Sequence, residues 1–175
     1  MQLEGVYTPV VTPFLADDAL DLDGYARVIE FVLAGGVRGL VANGTTGEYY
    51  ACTFDERARL LEACRDVNAG RAQLIAGVNS GSTREVIRHG EVARELGYDA
   101  VMLAAPHTSL PSQRELAAHV AAGAEHVGLP VVLYNYPARA GVELPLRVVL
   151  RDLLGEGGPV QAIDLFELPG RGGDA

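Results

Sequence analysis

Six short apolar runs recur along the chain, at Val6 to Val11, Gly39 to Ala42, Leu74 to Val78, Ala100 to Leu103, Val131 to Tyr134 and Val160 to Ile163, separated by longer amphipathic stretches. The repeat is roughly 25 to 35 residues, the size of one βα unit. Several runs are apolar on consecutive residues instead of alternating, as strands covered on both faces are, and this favours a parallel sheet.

The intervening stretches carry helix punctuation. Thr53-Phe-Asp-Glu56, Ser82-Thr-Arg-Glu85 and Ser112-Gln-Arg-Glu115 each place a hydroxyl three residues before a glutamate, the capping-box spacing, ahead of a helical pattern. Gly70, Gly97 and Gly128 follow the ends of those patterns, where a left-handed backbone is usually required. The expectation is an α/β protein of about five βα units plus a sixth strand, either an open doubly wound sheet or part of an eight-stranded barrel. No GxGxxG follows the first run, which weakens a dinucleotide-binding reading.

Composition narrows the class. With 49% hydrophobic and 21% charged residues, 175 residues suffice for one domain with a sizeable core. A net charge of -9 without a basic stripe argues against a nucleic-acid partner. The N-terminus lacks the pattern of a signal peptide and no apolar run approaches membrane-spanning length, so a cytoplasmic protein without a membrane partner is expected. Cys52 and Cys64 form no CxxC pair and read as plain buried or half-buried thiols. His89, His119 and His126 fall on predicted helices without ligand spacing, so neither a metal nor an organic cofactor is expected.

Two segments at predicted C-terminal strand ends, where α/β proteins place their sites, carry candidate chemistry. In Asn43-Gly-Thr-Thr-Gly-Glu48 the glycines let the backbone approach a ligand, and Thr45 and Thr46 offer hydroxyls and amides to a small carboxylate. The same residues also suit a glycine turn whose threonines satisfy backbone groups. In Tyr134-Asn-Tyr-Pro-Ala-Arg-Ala-Gly141 a strand-end tyrosine can relay a proton and Arg139 can grip a carboxylate. Taken singly, such a tyrosine is more often a core aromatic and such an arginine a surface residue.

GTTGE at 44 to 48, YNYPARAG at 134 to 141, GVYTPVVTPF at 5 to 14 and LPSQREL at 110 to 116 together resemble the dihydrodipicolinate synthase and N-acetylneuraminate lyase family. The likeness is collinear from about Gly5 to Ile163. It implies a (β/α)8 barrel that acts on pyruvate or a related 2-keto acid through a Schiff base, in homo-oligomers. By position it implies that Thr46, with its own amide and neighbouring Gly47, binds the substrate carboxylate. It further implies that Thr45 and Tyr134 form a hydroxyl relay and that Arg139 contacts the distal part of a second substrate.

The chain departs from this pattern twice. Where many relatives carry a tyrosine pair after the fourth strand, it reads Ala105-Pro-His-Thr-Ser109, so that His107 or Thr108 would have to stand in. Where relatives end the sixth strand in Ile-Lys, the lysine forming the imine, this chain reads Ile163-Asp164. There is no lysine among the 175 residues; all 14 basic residues are arginine, whose guanidinium stays protonated and forms no imine. The remaining primary amine, at the N-terminus, lies in front of the first strand.

Residues 1–164 are thus expected to form an incomplete TIM barrel and residues 165–175 a divergent, disordered tail. A full barrel needs about 250 residues, and the pattern is lost just where glycine-rich sequence begins. A frameshift or premature stop is the expected origin, a natural six-strand protein the alternative. Two functions follow: a lyase or aldolase of this family that is inactive as the chain stands, or a noncatalytic protein that binds a 2-keto acid or another carboxylate.

Overall fold

The computed structural model describes residues 3–106, 110–136, 141 and 160–163, the last four by their backbone. Six strands, β1 (Tyr7–Pro9), β2 (Gly39–Ala42), β3 (Gln73–Gly77), β4 (Ala100–Ala104), β5 (Val131–Tyr134) and β6 (Val160–Ile163), pair in the order of the sequence. Every pairing is parallel, from Tyr7 against Gly39 to Tyr134 against Ile163. Helices α1 (Leu22–Ala34), α2 (Phe54–Asn68), α3 (Thr83–Glu95) and α4 (Gln113–Val127) occupy the first four crossovers. This is an incomplete TIM barrel, since consecutive parallel neighbours are the barrel's order and a doubly wound sheet reverses direction from its middle.

The unbroken apolar runs are explained by two cores. Leu40, Ala42, Leu74, Ala76, Val101, Leu103, Val131 and Leu133 face the helices, where they join Ile29, Leu60, Leu61, Val86 and Leu116. The alternate residues Val41, Ile75, Met102 and Val132 make a second cluster on the inner face with Ala100. Because successive side chains in a strand point to opposite sides, both sets had to be apolar.

Thr53 and Ser112 cap α2 and α4 with complete capping boxes. The third expected box does not form. Ser82 makes no side-chain cap; its amide donates to Ser80 Oγ at 3.1 Å, while Glu85 pairs with Arg88 at 2.9 Å. With a cationic partner one turn away, the glutamate has a competitor for the N-cap amide. Helix α1 starts instead on Asp21, whose Oδ1 accepts from Gly24 N at 2.7 Å. Gly70, Gly97 and Gly128 all have positive φ, as helix exits require.

Gly77, the last residue of β3, is fixed by close approach. A Cβ there would lie 2.1 Å from the carbonyl oxygen of Asn43, the residue that follows β2. Gly77→Ala is therefore expected to destabilise the chain by about 1–3 kcal/mol, the cost of forced overpacking. Urea titration should show a lower midpoint at unchanged slope, and an unshifted midpoint would contradict the close packing of these two strand ends.

Candidate functional site

The C-terminal end of β2 leads directly into a 3-10 turn, Thr45–Gly47, followed by a second, Tyr49–Ala51. Asn43 enters the turn at φ 55° and Glu48 leaves it at φ 52°, so the chain reverses sharply on either side of the two threonines. Gly47 N donates to Gly44 O at 3.0 Å and Glu48 N to Thr45 O at 3.1 Å. The amides of Thr45 and Thr46, at the start of the turn, have no partner within it, as for the first residues of any helix.

Thr45 and Thr46 line a cavity of about 570 Å³ along the inner face of the sheet. Tyr134, at the C-terminal end of β5, lines the same cavity, with Val41, Ile75, Met102 and Val132 as its apolar wall. At the opposite end it is bounded by Leu3, Glu4, Gly5 and Tyr7. The Tyr7 hydroxyl donates to Gln73 Oε1 across the N-terminal ends of β1 and β3. Two threonines from the turn after β2 and a tyrosine from the end of β5 thus line one mostly apolar chamber, and Tyr134 packs edge-on against Tyr136 with 6.2 Å between ring centroids.

Gly47 ends the same turn. Its carbonyl accepts from Thr12 Oγ1 at 2.7 Å and a Cβ would lie 2.9 Å from Val10 O, so it anchors the turn to the segment after β1. His107, Thr108, Arg139 and Asp164 lie outside the described residues, as do the segment between Gly141 and β6 and residues 165–175.

Arg57, which the motif reading did not single out, is buried beneath the same turn. Its Nη2 donates to Gly77 O at 2.9 Å and Nη1 to Asn79 O at 3.1 Å. The signal was available: Arg57, Leu61, Cys64 and Asn68 share the buried stripe of α2, so a cation interrupts an otherwise inward-facing spacing. Burial pushes the guanidinium down to about 10, which leaves it charged at neutral pH.

The thiols and imidazoles among the described residues sit in structural contacts. Cys64 is buried and Cys52 half-buried, and burial pushes the Cys64 thiol up to about 11 and the Cys52 thiol up from its ordinary value, which disfavours the reactive thiolate. His89 stacks on Phe54 at 4.6 Å and burial pulls it down to about 4. His119 Nδ1 lies 2.8 Å from Thr83 Oγ1, and burial lowers it as well. His126 Nδ1 lies 2.9 Å from Ala122 O. Among the described residues no group of three or more His, Cys, Asp or Glu is placed to hold a metal ion, and no helix is long and apolar enough to cross a membrane.

Comparison with known proteins agrees with the strand-end signatures. A model of the dihydrodipicolinate synthetase family matches residues 2–154. The 4-hydroxy-tetrahydrodipicolinate synthase of Acidothermus cellulolyticus is 42% identical over 146 residues, covering 83% of this chain and 47% of the relative. That of Methanocaldococcus jannaschii is 40% identical, covering 83% and 50%. The chloride-inhibited dihydrodipicolinate synthase of Acinetobacter baumannii, solved in complex with pyruvate, superposes with a TM-score of 0.84 at 32% identity, over 92% of this chain and 56% of that one. The chain spans about half the length of the curated relatives it matches. With its inner-face cavity, its GTTGE turn and this match over most of its length, the chain belongs to the dihydrodipicolinate synthetase family.

Proposed function

We propose that this chain carries the carboxylate-holding part of a lyase or aldolase that acts on pyruvate or a related 2-keto acid, and that alone it binds such an acid without turning it over. The observation that carries the reading is the convergence of Thr45, Thr46 and Tyr134 on one cavity. In this role Thr46 donates its hydroxyl and amide to the carboxylate, with Gly47 keeping the backbone close. Thr45 and Tyr134 form the hydroxyl relay that moves protons during imine and carbon-carbon bond chemistry. Arg139 grips the second substrate, and His107 or Thr108 occupies the place of a tyrosine. Asp164 stands where the imine-forming lysine belongs, so the covalent step has no nucleophile. In this reading the protein is cytoplasmic and, with a complete barrel, homo-oligomeric.

The missing amine also favours the second reading, a noncatalytic binder of 2-keto acids or other carboxylates. Both readings require saturable binding at the threonine turn. Titration with pyruvate, followed by NMR of the chain, is expected to saturate and to perturb residues 44–47. Thr46→Val should weaken binding about tenfold, the loss of one charge-assisted hydrogen bond worth roughly 1.5 kcal/mol. Unsaturable titration, or equal affinity in the variant, would overturn the assignment.

A further inference from the structure

The turn that faces the cavity is held at both of its flanks by one residue, Arg57, through its backbone carbonyl on one side and its guanidinium on the other. Before it, Asn43 Nδ2 donates to Arg57 O at 2.9 Å. After it, the Tyr49 ring lies under the Arg57 guanidinium, 5.1 Å from ring centroid to Cζ. The same guanidinium spans the carbonyls of Gly77 and Asn79 at the exit of β3, at 2.9 Å and 3.1 Å. Asn79 Oδ1 in turn accepts from Ala104 N, the last residue of β4, at 2.6 Å. Asn43, Arg57 and Asn79 are all buried, and the strand exits touch without slack, since Gly77 has no room for a Cβ beside Asn43 O.

We propose that Arg57 is a positioning residue: it locks the exit of β2 to the exit of β3 and thereby presents Thr45 and Thr46 to the cavity. The proposal rests on the reading that this turn binds a 2-keto acid. A guanidinium suits the task because its planar fork reaches two carbonyls at once while its face stacks on an aromatic ring, whereas an ammonium offers a single point charge. Its charge is not spent on substrate; the contacts all run to backbone carbonyls and a ring behind the turn. Burial lowers its pKa to about 10, so the lock stays cationic through the neutral range.

Arg57→Lys separates positioning from bulk stability, because it keeps the charge and stem while losing the fork. In R57K the amides of residues 43–49 and 77–79 are expected to exchange with solvent deuterium at least tenfold faster, while those of β5 and α4 keep their wild-type protection, and the pyruvate Kd should rise about tenfold. Asn43→Asp removes the donor to Arg57 O and sets a carboxylate against that carbonyl, retains a residue type that tolerates positive φ, and should loosen residues 43–49 in the same way if R57K does not fold. Unchanged exchange at 43–49 in the folded variant, or an acceleration spread evenly over the chain, would overturn the proposal. Local loosening in a protein whose wild type does not bind pyruvate would retain the lock and reject the carboxylate reading instead.

Discussion

Incubation of the purified chain with pyruvate and sodium borohydride is expected to leave its intact mass unchanged. Reduction traps a Schiff base only where a neutral primary amine has attacked the ketone. In enzymes that amine is a lysine whose pKa its surroundings have lowered. The chain has no lysine, and a buried arginine such as Arg57 remains a cation at neutral pH. The α-amine of Met1 is the remaining candidate. It precedes Leu3, which bounds the end of the cavity opposite Thr45 and Thr46. Reaction there would be slow, unsaturable in pyruvate and indifferent to Thr46→Val. A stoichiometric adduct that saturates with pyruvate and disappears in that variant would establish a nucleophile in the site and refute the noncovalent reading. Saturable binding without trapping is the outcome that the geometry and composition jointly call for.

What the sequence made legible follows from the range of the interactions involved. The runs at Gly39 to Ala42, Val131 to Tyr134 and Val160 to Ile163 match their strands residue for residue; in the first two, a strand covered on both faces writes an uninterrupted apolar stretch. The first apolar run, Val6 to Val11, is longer than its strand. Val10 N still bonds to Val41 O at 3.1 Å, but Val11 turns out to solvent, so β1 ends at Pro9. The third was displaced by one residue: Gln73, polar and hence left out, joins β3 opposite Gly39 and receives the Tyr7 hydroxyl. Two capping boxes formed as spelled and one did not, where Arg88 competes for Glu85.

The candidate site was legible for the complementary reason. A glycine-threonine turn must be written locally, since no distant residue can supply backbone freedom or a hydroxyl at that point. Thr45, Thr46 and Tyr134 accordingly fell on one cavity. Arg57 was not found because its meaning is set by partners 14 to 22 residues away, the side chain of Asn43 and the carbonyls of Gly77 and Asn79. A polar residue on a buried helical stripe marks such a lock only when the helix is placed against its strands.

At micromolar concentration the isolated chain is expected to self-associate, and Phe31→Glu to shift it toward monomer. Among the described residues β1 pairs only with β2, leaving its other edge with unpaired backbone groups. Beside that edge, Pro9, Val11, Pro13, Val28, Phe31 and Val32 line an open apolar groove between β1 and α1. Phe31 is 82% exposed and Val11 46%. Covering a phenylalanine is worth about 1.5–3 kcal/mol, enough with its neighbours and the free edge to draw copies together. Glutamate at position 31 removes that gain and adds a negative charge to a chain already at -9, which increases repulsion between copies. Because the side chain lies on the outer face of α1, the substitution should change the stability of the fold itself by no more than about 0.5 kcal/mol. Sedimentation velocity of both proteins decides the matter. A wild type that sediments as a monomer and unfolds cooperatively on heating when dilute would show that the edge and groove are inert, and identical profiles for Phe31→Glu would place any association on another surface.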